Sequence, residues 1–171
     1  MDYLIVVDYQ SDAERKRIDY AIERWKDRGS IEKPKGTVIH FSGADVDEFL
    51  DDIYSRLSVG KDSVHVFAGD AYSPNVDEQS ESLKYNTDMD VSSVEKFLNY
   101  IMTKLSASYE GTKNGVKSYT AYTKKGQAGI DVRLSEGDKT EVAVVVRGYG
   151  EVVSFIVGRI DKELKMFLGA E

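Results

Sequence analysis

Residues 4–7, Leu-Ile-Val-Val, form a continuous apolar run bounded by polar positions. Such a run predicts a short central strand covered on both faces. Ser11-Asp12-Ala13-Glu14 then offers a capping box, in which a serine and a glutamate satisfy two orphan N–H groups at a helix start. Ile18, Ala21, Ile22 and Trp25 follow at i, i+3, i+4 and i+7, which places them on one helical stripe, and Gly29 closes the helix. Thr37 to Phe41 reads as a strand, and Ser30 to Lys33 as a second one turning back through Pro34-Lys35-Gly36. Asp45 with Glu48 opens another helix, with Val46, Phe49, Leu50, Ile53 and Leu57 as its stripe and Gly60 as its stop. Ser63 to Ala68 is a further strand.

The segment from Asp70 to Asp90 is polar and acidic, contains Pro74 and has no apolar period, so it reads as a long loop. Beyond it, Ser92-Ser93-Val94-Glu95 is another capping box, and Val94, Phe97, Leu98, Ile101, Met102 and Leu105 form an apolar helical face. Three strands are expected next, at about 117–124, 129–134 and 140–147, joined by hairpins at Gly126 and at Ser135 to Lys139. Ile130, Val132 and Leu134 alternate with Asp131 and Arg133, the mark of a sheet wet on one face. Val142 to Val146 is apolar throughout and reads as a central strand. A last helix carries Val153, Ile156, Ile160, Leu164 and Phe167 on one side.

These elements predict an α+β protein. Residues 1–70 would form a ferredoxin-like α/β sandwich, 71–90 an acidic polar loop, and 91–171 an α-β-β-β-α unit. The alternative for the first part is a small Rossmann-like parallel α/β sheet. The choice turns on whether residues 30–33 pair back on 37–41.

Composition narrows the chemistry. The 171 residues are 41% hydrophobic and 31% charged, which supports a core and argues against wholesale disorder. Cysteine is absent, which excludes disulfides, thiolate catalysis and thiolate metal sites. Only two histidines are present, too few for a dedicated zinc enzyme. No run approaches the ~18 apolar residues of a membrane span. The first residues carry an acid where an export peptide carries positive charge, so a cytoplasmic protein without membrane association is expected. Residues 1–90 hold 11 basic against 20 acidic side chains, a balance of −9, whereas 91–171 hold 12 against 10, a balance of +2. The near-neutral second half mixes Tyr109, Tyr119, Tyr122 and Tyr149 with Lys113, Lys117, Lys124 and Lys125. Aromatics among bases can stack on nucleobases, but a nucleic-acid domain carries a stronger basic excess, so charge does not support a nucleic-acid partner.

Four residues are candidates for chemistry. Asp8 ends the first expected strand and Asp70 follows the strand at 63–68, where carboxylates at sheet ends commonly face ligands. Together they would hold Mg²⁺ through oxygen. His40 and His65, on two expected strands, would supply general acid or base chemistry beside Asp8. There is no P-loop, no G-x-G-x-x-G after the first strand, and no G-x-S-x-G, H-E-x-x-H or EF-hand loop. Arg147-Gly148-Tyr149-Gly150, ahead of the last helix, is the nearest glycine-rich turn.

Ile5-Val6-Val7-Asp8, the charged helix around Ala13 to Arg17, Thr37 to Gly43, the helix from Asp45 and Asp62 to Phe67 together resemble the small ferredoxin-like subunit of the CRISPR adaptation complex. The resemblance covers residues 1–70. It implies a dimer and, as in some members, a metal-dependent endonuclease using Asp8. Residues 92–168 resemble the double-stranded-RNA-binding domain in order and length, but Glu151 stands where that family places lysine, so RNA binding does not carry over. The expectation is therefore a non-enzymatic binding or interaction protein that self-associates as a homo-oligomer, since Leu4–Val7 and Val142–Val146 demand cover. An Mg²⁺-dependent phosphodiesterase or nuclease built on Asp8 is the alternative, and a small-molecule pocket between the last helix and the sheet a third reading.

Overall fold

The computed structural model describes residues 3–58 and 63–169. The chain divides into two units, Met1–Ala68 and Gly69–Glu171.

The first unit contains two helices. α1 (Asp12–Trp25) starts as its sequence dictates: Ser11 Oγ accepts the Glu14 N–H (3.2 Å), and Glu14 Oε2 accepts the Gln10 N–H (2.5 Å). α2 (Val46–Ser55) follows Asp45, whose side chain makes no cap bond. Phe41 stacks on Phe49 with ring centroids 5.0 Å apart. Neither helix has a fully buried residue. The expected strands at 4–7, 30–33, 37–41 and 63–68 do not form among the described residues. Ile5 and Val6 are 78% and 69% exposed. Among the described residues the ferredoxin-like sandwich is thus absent, and so is the parallel Rossmann-like alternative, because the only sheet they form is antiparallel and lies in the other unit. The physical reason is that an apolar run becomes a strand only when a neighbour accepts and donates its backbone hydrogen bonds. Periodicity reports the capacity of a segment, not the presence of its partner. Gly60, expected to stop the second helix, and Asp62 lie outside the described residues.

The second unit holds β1 (Gln79–Thr87), α3 (Val91–Lys104), β2 (Ser108–Lys113), β3 (Val116–Thr123), β4 (Gly126–Glu136), β5 (Thr140–Gly148) and α4 (Val152–Leu168). The strands form one antiparallel sheet in the order β1-β5-β4-β3-β2. Two corrections follow. The acidic segment is not all loop, since nine of its residues, Gln79–Thr87, form β1, paired with β5 from Gln79↔Gly148 to Thr87↔Thr140. And α3 is followed by four strands rather than three, which removes the likeness to the RNA-binding order. The missed strand, β2, is joined to β3 through Asn114-Gly115, with φ of +52° and +76°. Both signs match a type I′ hairpin turn, the turn that Asn-Gly favours.

The helices cover one face of the sheet, α4 over β1 and β5 and α3 over β4. Ile130, Val132, Val142, Val144 and Val146 point to that face and are buried against Leu98, Ile101, Ile156, Ile160 and Leu164. Phe97 of α3 stacks on Phe167 of α4, and Lys104 reaches Glu163 (2.6 Å). β5 is interior, as its apolar run predicts, but Ala143 and Val145 face the other side and are only half-buried. That open face carries a small network in which Ser118 Oγ–H and an Arg147 N–H both donate to the Asp131 carboxylate (2.7 and 2.8 Å). Gly148, at the end of β5, is required by crowding: a Cβ there would lie 3.0 Å from the Gln127 carbonyl oxygen and 3.3 Å from both Ala128 and Val152.

One contact ties β1 to α4 and titrates. The Tyr85 hydroxyl donates to Asp161 Oδ1. Burial, then the Asp161 carboxylate, push the Tyr85 phenol up to about 12. The Asp161 carboxyl is held below its ordinary range, first by the Tyr85 hydrogen bond and then by Lys165. The two signs are opposite. The Tyr85 contribution is complete below the ordinary phenol value near 10 and is lost as pH rises toward about 12. The Asp161 contribution is complete above the ordinary carboxyl value near 3.8 and is lost as pH falls below it. Ultraviolet titration should show one phenolate appearing last, near pH 12, and Tyr85→Phe should remove that step. Ionisation of every tyrosine together near pH 10 would contradict the contact.

Candidate ligand recess beneath the third helix

α3 is started by Asp90 rather than by the expected serine pair. Asp90 accepts the Ser93 N–H at Oδ1 (2.9 Å) and the Ser93 hydroxyl at Oδ2 (2.6 Å). The Asp90 carboxyl is lowered below its ordinary value by these bonds. With the helix phased this way, Val94, Leu98, Ile101 and Met102 enter the core. Val91, Glu95 and Asn99 come instead to the flank facing β2 and β3. The Asn114-Gly115 hairpin carries β3 past the helix, so a recess of about 220 Å³ remains between them.

Leu98, Val132 and Leu134 make its apolar floor, with the Tyr119 ring beside them. Tyr109 meets Tyr119 edge-on, centroids 5.5 Å apart. At the rim the Lys117 ammonium donates to Glu95 Oε1, and the Tyr119 hydroxyl donates to Asn99 Oδ1 (3.3 Å). Lys117 is raised above its ordinary value, first by the Glu95 hydrogen bond, so it is a cation at neutral pH. Tyr119 is also raised, first by burial. The arrangement puts one cation, one anion and one amide around an apolar hollow. It has a handle for either charge on a small amphipathic molecule, but its lining contains no histidine, cysteine or serine to act as nucleophile or base.

The residues singled out for chemistry lie elsewhere. Asp8, His40 and His65 are exposed on segments of the first unit that form no strand, and Asp70 is exposed near the start of the second. Among the described residues no group of three His, Asp or Glu side chains stands ready to hold a metal ion. The sheet-end argument fails for Asp8 because no strand among the described residues leads up to it. Lys117 and Tyr119, read from sequence as part of a base-and-aromatic mixture, face the helix and are paired with Glu95 and Asn99. Glu95 and Asn99 carried no separate signal; the Asn114-Gly115 turn, which sets the parity of β3, was the clue to which of its side chains face α3. This recess lies against α3, whereas the sequence reading placed one against the last helix.

No protein-family model matches the chain, and no curated protein is significantly similar to it. No helix among the described residues is long and apolar enough to cross a membrane.

Proposed function

We propose that the chain is a non-enzymatic, cytoplasmic binding protein that self-associates and takes a small amphipathic ligand in the recess beneath α3. The observation that supports binding is the recess itself, an apolar hollow with a charged pair at its rim. Self-association is supported by Leu4–Val7, four consecutive apolar residues that are all exposed, since contiguous exposed apolar surface commonly marks an interaction site. Among the described residues no group of three or more His, Asp or Glu side chains supports the metal-dependent nuclease reading on Asp8.

Titration of the isotope-labelled protein with zwitterionic amino acids, aromatic carboxylates and aromatic amines tests the site. Binding should shift the backbone signals of Glu95, Asn99, Lys117 and Tyr119 and raise the thermal midpoint by mass action. Lys117→Met should remove the carboxylate-dependent part of those shifts. Shifts confined to Ser118, Asp131 and Arg147, on the opposite face of the sheet, would reject the recess. Light scattering should show a species heavier than the 19.2 kDa chain.

A further inference from the structure

The sheet of the second unit ends in two unlike edges. β2 has six residues, its ladder with β3 shifts register between Tyr109 and Gly111, and Gly111 has φ +151°. A short, bulged edge of this kind resists pairing with another chain. β1 is nine residues long, pairs with β5 without a break, and contains neither proline nor glycine. No strand among the described residues adds to its outer side. Gln79 to Ser82, Lys84 and Asn86 are exposed. One edge therefore presents a regular row of backbone N–H and C=O groups with no strand partner among the described residues, and the other is blunted.

We infer that β1 pairs antiparallel with β1 of a second copy, joining the two five-stranded sheets into one continuous sheet about a two-fold axis. The inference rests on the self-association reading above and assigns it a surface in the second unit, apart from the exposed apolar residues of the first. The two-fold must run perpendicular to the sheet, because this keeps both helical layers on one side, and it then requires facing residues of equal parity. Among such registers, centring on Lys84 sets that lysine against its own copy, and centring on Glu81 does the same to the glutamate; like charges directly opposite are unfavourable. Centring on Ser82 avoids both but aligns only residues 79–85. Centring on Leu83 aligns all of Gln79–Thr87. It places Leu83 against Leu83, Glu81 against Tyr85 and Ser82 against Lys84, with no like-charge pair. Leu83 is half-buried in the single chain, so its contact with its copy removes further apolar surface from water.

Sedimentation velocity across a concentration series reads the result. The wild-type chain should reach twice its mass, with a Kd that Ser82→Lys raises about tenfold by setting lysine across from Lys84 at two symmetry-related places. Ser82 and Lys84 are both exposed on the open face, so circular dichroism should show the fold intact. Adding Lys84→Glu to Ser82→Lys should restore the wild-type Kd. A dimer insensitive to Ser82→Lys overturns the β1 pairing and leaves self-association to another surface. Weakening without rescue rejects the Leu83 register and the proposal with it. A monomer at every concentration removes both this inference and the reading beneath it.

Discussion

Val144→Asp should prevent the second unit from folding, while Ala143→Asp one position earlier leaves it folded. Val144 lies at the middle of an interior strand, is fully buried, and faces the helical layer. A carboxylate there has no cation among the aliphatic side chains of that cluster. An uncompensated buried charge costs on the order of 5 kcal/mol, which is comparable to the whole stability of a small unit. Ala143 points the other way, onto the open face, where its neighbours across the ladders are Arg133 on β4 and Lys84 on β1. An aspartate at 143 therefore meets water and two cations, and its effect should stay within about 1 kcal/mol. Far-UV circular dichroism with chemical denaturation separates the two variants. Equal tolerance of both would mean that the helices do not cover the face assigned to them.

Ile160→Ala should lower the stability of the second unit by about 3–4 kcal/mol. Ile160 is 0% exposed and sits midway along α4, in the same cluster as Val142, Val144 and Val146. Alanine keeps the helix, because its propensity is the higher of the two, so the loss comes from transfer of the removed methyl groups and from the cavity they leave. Met166, on the same helix, is 75% exposed. Met166→Ala removes a comparable volume and should change stability by less than about 0.5 kcal/mol. Urea unfolding of both, with unchanged slope, measures the difference; similar midpoints for the two would show that α4 does not pack on the sheet through this stripe.

In the second unit α3, β3, β4, β5 and α4 were legible because each is locally overdetermined. Of the α4 stripe Val153, Ile156, Ile160, Leu164 and Phe167, the first four are buried and Phe167 is half-buried. Strand β4 alternates and β5 is continuous, in keeping with their interior places. β1 was not legible, since Gln-Ser-Glu-Ser-Leu-Lys-Tyr-Asn-Thr has few apolar side chains and gains its place from β5, which lies more than fifty residues later. The start of α3 was misread by two residues because serine and aspartate cap equally well, and only the geometry selects Asp90.

In the first unit the failure has a different cause. Leu4–Val7, Thr37–Phe41 and Ser63–Ala68 carry strand-like patterns, yet none is paired among the described residues, and the fold inferred from them falls. Asp8, His40 and His65 became candidates only through an assumed sheet that would have brought them together.

By itself, then, the order of side chains determined the absence of thiol chemistry, the acidic first half, the caps and stripes of the helices and the alternation of β4, because each depends on composition or on neighbours within a few positions. Which strands meet, which face the helices cover, and that Glu95, Asn99, Lys117 and Tyr119 share one recess were decided by tertiary structure alone. Those facts depend on pairings between distant segments, and a backbone hydrogen bond leaves no mark on the identity of the residues that make it.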